Sequence, residues 1–119
     1  MVEEAQAELF RALAHPFRLQ LLEMLGADEV CVCHLVAYSG KPQPYVSKHL
    51  AELRDAGIVI DRREGQRVYY RLTDPALRTV LDGARRALTR RGLLPAEEAT
   101  TFGPRFPVPG CECPRCATA

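Results

Sequence analysis

A short helical run, an abrupt break and a longer helical run occupy residues 32 to 56, and this order constrains the chain more than any other feature. Val32 to Tyr38 fits one short helix. Ser39-Gly40-Lys41-Pro42 ends it, because glycine accepts a left-handed backbone and proline has no N–H to continue the ladder. A fourth helix in chain order then opens at Pro44 and runs to about Ala56, where Gly57 stops it. Short helix, tight turn, longer helix is the helix-turn-helix pattern. Downstream, Ile58-Val59-Ile60 and Val68-Tyr69-Tyr70 flank the turn Glu64-Gly65, which predicts a β-hairpin placed as a wing.

The flanks supply the rest of one domain. Ala5, Leu9, Phe10 and Leu13 recur at helical spacing, and His15-Pro16 closes that helix and opens the next. The second helix places Leu19, Leu22 and Leu25 on one side and is predicted to end at Gly26. Asp74-Pro75 caps a last helix whose stripe of Leu77, Val80, Leu81, Ala84 and Leu88 stops near Arg91 and needs a partner surface. The expected fold is therefore mainly α with a small β-hairpin, a dimeric winged helix-turn-helix over residues 1–91. Residues 92–119 hold five of the nine prolines and three of the five cysteines, and read as a flexible tail.

With 119 residues, no second domain and no large substrate cavity are expected. An enzyme is disfavoured further, because Cys33 and His34 are adjacent rather than set across a pocket, and neither a carboxylate pair nor a phosphate loop accompanies them. There is no apolar run of about eighteen residues, and MVEEAQAELF is acidic where a signal peptide is basic and then apolar. These features predict a cytoplasmic protein without a membrane partner, whose cysteines serve as thiols, metal ligands or redox sensors. The net charge of +1 hides a split: residues 1–40 carry two Arg and six acidic residues, and residues 41–72 carry seven Lys or Arg and four acidic ones. The middle is the part suited to an anionic partner.

A recognition helix reads the major groove with its first turns, which here present Gln43, Tyr45, Ser47, Lys48 and His49. Gln43 suits adenine edges, while Ser47, Lys48 and His49 suit phosphates or bases; Val46, Leu50 and Leu53 anchor the opposite face. Arg62, Arg63 and Arg67 surround the hairpin turn, within reach of a phosphate backbone or an adjacent minor groove. Pro42 cannot supply a side-chain cap to the recognition helix, which leaves its start open.

Cys31 and Cys33 fall at the start of the helix preceding the recognition helix, where the positive helix end favours thiolate. The tail offers Cys111, Cys113 and Cys116 in a CxCxxC array. Three thiolates in a trigonal pyramid suit As(III) or Sb(III), and four suit tetrahedral Zn(II) or Cd(II). His34, directly after Cys33, is open to two readings, a borderline ligand or a salt-bridging surface residue, and the surface reading is favoured.

The segments ALAHPFRLQLLEML, CVCHL, QPYVSKHLAELRDAGIV and REGQRVYYRL, in this order, resemble the ArsR/SmtB family of metal-responsive repressors over about residues 5–90. The resemblance implies a homodimer on inverted-repeat operator DNA that is released when a thiophilic ion binds. Cys31-Val32-Cys33 is similar to the family's CVC box, which supplies two thiolates in arsenic, antimony, cadmium and lead sensors. The position three residues after the box, where an arsenic-sensing version carries another cysteine, is Val36 here, so a third ligand has to come from elsewhere, and the tail can supply it. The family's other common site uses Asp and His on the last helix, and residues 74–91 contain no His. As(III) or Sb(III) is thus the favoured effector, with Cd(II), Pb(II) or Zn(II) as alternatives. A repressor governed by thiol oxidation or persulfide formation, and a metal-buffering protein that never touches DNA, are the competing functions.

Overall fold

The computed structural model describes residues 1–25, 28–95 and 106–117. Helices α1 (Val2–Leu13) and α2 (Pro16–Met24) meet at a corner that His15 builds, with its Nδ1 accepting a hydrogen bond from the Phe17 N–H at 3.1 Å. That ring serves as the N-cap acceptor for α2, and Pro16 begins the helix where an N–H would have no partner. The chain leaves α2 through Leu25 in extended backbone; Gly26, the stop expected from the sequence, lies outside the described residues.

A two-residue strand, β1 (Val30–Cys31), leads directly into α3 (Val32–Ser39), with Cys31 as the N-cap residue. Gly40 ends α3 at φ 69°, a left-handed position at which its N–H donates to the Val36 carbonyl. Helix α4 (Gln43–Asp55) follows. Pro42 provides no side-chain cap, but its carbonyl accepts the first intrahelical bond from Val46 N–H, so the recognition helix starts at Gln43. Strands β2 (Val59–Glu64) and β3 (Arg67–Leu72) form the hairpin, with Gly65 at φ 60° in its turn. The sheet has three strands rather than two. β1 pairs antiparallel with β3, with Val30 opposite Tyr70 and Cys31 opposite Tyr69, giving the order β1-β3-β2. The sheet thereby fixes the first cysteine of the CxC pair to the wing.

Leu21, Leu22, Leu25, Leu35, Val46, Leu50, Leu53 and Ile58 are fully buried between α2, α3, α4 and the sheet. Leu19 departs from the expected stripe. It is 38% exposed, and Leu21 and Met24 face the core in its place. On α5 (Pro75–Arg90), capped by Asp74 accepting from Ala76 N–H at 2.8 Å, Leu81 alone is buried. Leu88 stays 37% exposed, so the apolar stripe is largely uncovered within one protomer.

The described part of the tail is packed, contrary to the mobile segment expected from its composition. Residues 106–117 lie against α3 and β3 and end in the short helix α6 (Pro114–Ala117), with Val108, Cys113 and Cys116 buried. Phe106 stacks on His34 at 4.5 Å between ring centroids and carries the Arg115 guanidinium 4.0 Å above its face. Arg115 also donates to the Glu29 carbonyl. Composition alone misses this, because the apolar surface that the tail buries belongs to distant parts of the chain.

Candidate metal centre and nucleic-acid face

Five sulfurs converge where β1, α3 and the tail meet. The ligand atoms of Cys31, Cys33, Cys111 and Cys113 all lie within 4.8 Å of one another, with Cys111 Sγ 3.6 Å from Cys33 Sγ. A second group, His34, Cys111, Cys113 and Cys116, is equally compact. Cys31 and Cys33 are joined as a disulfide, and Cys111, Cys113 and Cys116 are free thiols. Residue spacing brings Cys31 and Cys33 to the start of α3, while only the tertiary fold brings the tail cysteines to them.

The surroundings make the tail thiols unequal. Burial, reinforced by thiol hydrogen bonding to Cys113 and Cys116, pushes the Cys111 thiol up to about 12. At Cys113 burial acts in the same direction, but the Cys116 backbone N–H and the thiols of Cys111 and Cys116 outweigh it and bring its pKa below the ordinary value. Cys113 thus ionises more readily than Cys111.

His34 is fully buried, not the surface residue expected, with Nδ1 3.2 Å from Cys116 Sγ. It follows Cys33 on α3 beside buried Leu35, on the face that the tail covers. Arg67 is also placed differently from the expected phosphate contact. Its Nη1 lies 3.4 Å from Cys33 Sγ and its Nη2 donates to the Glu112 carbonyl at 3.1 Å, so a wing residue grips both cysteine segments.

A cavity of about 640 Å³ lies between α3, α4 and the hairpin, lined by Gln43, Ser47, Arg63 and Gln66 together with Cys31, Cys33 and Arg67. Gln43, Lys48 and Arg63 are exposed and Ser47 is half-buried. Tyr45 is 38% exposed and rests on Phe17 at 4.9 Å. Arg62 is tied to Glu29 at 2.7 Å and Glu64 at 3.1 Å, and sits 5.0 Å from the Tyr69 ring centroid. The hydrogen bond from Arg62 holds the Glu29 carboxyl below the usual carboxylate range.

His49 does not belong to this face. It is 5% exposed, its ring lies 4.5 Å from His15, and its Nδ1 accepts from Arg18 Nε at 3.1 Å. The sequence reading that gave it a phosphate or base is corrected by the helical period, since residue 49 shares the inner face with Val46, Leu50 and Leu53. Arg18, which sequence reasoning passed over, also donates to the Ala12 carbonyl and pairs with Glu52, so one guanidinium holds α1 and α4 together from α2.

Burial, with the charges of Arg18 and Lys48 and the ring of His15 nearby, keeps the His49 pKa below its ordinary 6.5. The unfolded chain therefore takes up this proton first. The stability from neutral His49 is fully present above pH 6.5 and is lost as pH falls through the lower folded value. Thermal unfolding followed against pH is expected to show a shallower acid-side loss in His49→Gln than in the parent; identical slopes would place that loss on other groups.

Comparison with known proteins fits this architecture. Residues 15–61 match the family described as "Bacterial regulatory protein, arsR family". The chain is 39% identical over 97 residues to the arsenic resistance transcriptional regulator ArsR1 of Pseudomonas putida, covering 75% of this chain and 76% of that one. It is 44% identical over 85 residues to the HTH-type transcriptional repressor SmtB of Mycobacterium tuberculosis, covering 71% and 63% respectively. Among solved structures, it superimposes with a TM-score of 0.69 and 28% identity on a homodimeric winged helix-turn-helix DNA-binding domain from Mycobacterium bovis, described as a possible ArsR-family transcriptional regulator. That match covers 76% of this chain and 83% of the other.

Proposed function

The chain belongs to the ArsR family of bacterial transcriptional regulators, winged helix-turn-helix proteins rather than enzymes, and from that premise we propose that it represses an operator as a homodimer and lets go when a thiophilic ion occupies its cysteine cluster. As(III) or Sb(III) is the favoured effector, ahead of Cd(II), Pb(II) and Zn(II). The observation that carries this reading is the convergence of Cys31, Cys33, Cys111 and Cys113 within 4.8 Å at the start of α3, the helix before the recognition helix.

The donors fit a soft ion. When bound, such an ion supplies a Lewis-acidic centre that prefers thiolate sulfur to water or carboxylate. Cys31 and Cys33 would hold it from α3, and Cys111 or Cys113 would complete the three sulfurs that As(III) takes. Ligation requires the reduced CxC pair. Similarity to an arsenic resistance regulator supports the choice among ions.

On the DNA side, Gln43, Tyr45, Ser47 and Lys48 are assigned to the major groove, with Arg62 and Arg63 of the wing on phosphates. Arg67 is assigned a coupling role, since the same guanidinium touches Cys33 and the tail and borders the α4 groove. Sulfurs drawn together around an ion shift the group that this wing residue leans on. The apolar stripe of α5, with exposed Leu88 and the adjacent Leu19, serves as the surface for the second copy.

Fluorescence anisotropy of the chain's own promoter DNA, with fully reduced protein titrated with each ion, tests the proposal. One soft ion is expected to weaken binding about five- to 150-fold, the range of ordinary allosteric coupling. A second reading has its own observation in the Cys31–Cys33 disulfide, which makes thiol oxidation the input. Release by oxidant, reversed by reductant and indifferent to every ion, would replace the metal reading with that one.

A further inference from the structure

We propose that the tail and α3 form a second metal site overlapping the first, in which His34, Cys111, Cys113 and Cys116 hold a tetrahedral divalent ion of borderline softness such as Zn(II). It shares Cys111 and Cys113 with the effector site but does not depend on ion-controlled DNA release.

Four observations support it. The four donors already lie within 4.8 Å of one another, and the His34–Cys116 pair stands at 3.2 Å. Zinc bonds of about 2.3 Å to sulfur and about 2.0 Å to nitrogen place tetrahedral ligands roughly 3.5–3.8 Å apart, so the widest pairs have to close by about an ångström and the His34–Cys116 pair to open by a few tenths. Three of the four donors are buried, as in structural zinc sites: His34 is 0%, Cys113 2% and Cys116 7% exposed, with Cys111 half-buried. Val108 N–H donates to Cys116 Sγ at 3.4 Å, the kind of outer partner that orients a metal ligand. Finally, joining Cys31 to Cys33 leaves Cys111, Cys113 and Cys116 as the free sulfurs, so this set stays competent whatever the redox state of the CxC pair.

Ligand chemistry separates the two sites. Three thiolates and one imidazole satisfy a tetrahedral divalent ion, whereas As(III) takes three sulfurs and has no use for the ring. Zinc held here fastens the tail to α3 through a buried histidine, and the effector must win Cys111 or Cys113 from it. More As(III) or Sb(III) is therefore needed to release DNA when Zn(II) is present.

The test uses Co(II) as an optical stand-in for Zn(II), on the full chain carrying Cys31→Ser and Cys33→Ser. That protein is expected to show intense tetrahedral d–d bands with sulfur-to-cobalt charge transfer, saturating at one ion per chain and bleached by Zn(II). Cys116→Ser added to this background is expected to weaken Co(II) binding by more than the roughly 10–100-fold typical of losing an outer partner. His34→Gln is expected to alter the band pattern, and circular dichroism checks that each variant folds. Weak octahedral bands, or a spectrum that Cys116→Ser leaves unchanged, would overturn the proposal. A parent protein that binds Co(II) in this way yet never releases DNA to any ion would instead defeat the effector reading alone.

Discussion

Replacing Cys31 and Cys33 together by serine is expected to leave operator binding intact and to abolish its response to the effector ion. Serine differs from cysteine by one atom in a side chain that α3 already tolerates at its beginning. Cys31 is the N-cap residue of that helix, a position where a hydroxyl is among the best acceptors for the free N–H groups of the first turn. The substitution therefore costs α3 nothing at its N-terminus. What it removes is ligand softness, since a hydroxyl does not ionise near neutral pH and binds thiophilic ions poorly. The predicted five- to 150-fold effect of the ion on anisotropy-measured affinity collapses to nearly none. A response that survives in the double variant would move the effector to the tail cysteines alone, and Cys113→Ser would then be the change that silences it.

That prediction joins parts of the chain that were legible in very different degrees. Cys31 and Cys33 and their place at the start of α3 follow from local spacing, as do the helix-turn-helix and the hairpin, because the periods of 3.6 and 2 show directly in the residues. β1 escapes this reading, since two residues carry no period; it exists because Val30 and Cys31 meet Tyr70 and Tyr69 across the sheet. His49 is legible in the sequence, since its spacing from Val46 and Leu53 puts it on the inner face, although its polar character alone suggests the outer one. Arg67 was not within reach. Its partner Cys33 is 34 positions away, and only the β1–β3 pairing brings the two together. The same holds for His34 and Cys116, 82 positions apart, whose meeting depends on how the tail crosses α3.

The second large effect is expected at α5. Leu88→Glu should convert the protein from two chains to one in sedimentation or light scattering while leaving its helical circular dichroism unchanged. The reasoning begins with what the protomer leaves uncovered. Leu77, Val80, Leu81, Ala84 and Leu88 lie on one stripe, yet Leu81 is the one of them that is buried, and Leu88 remains 37% exposed beside the exposed Leu19 of α2. A charge placed at an exposed position costs the isolated protomer little. Between two copies it would be buried without a partner, at a cost of several kcal/mol, enough to separate a modest interface. DNA binding should fall with it. Two recognition helices one turn apart read both halves of an operator, while a single chain keeps one reader and half the phosphate contacts. Specific sites are typically bound about 10³-fold or more tighter than non-specific DNA, and most of that margin is expected to vanish in Leu88→Glu. A variant that remains two chains would place the dimer contact elsewhere, with exposed Phe10 of α1 the next residue to change. A monomer with unaltered operator affinity would mean that one protomer suffices for recognition.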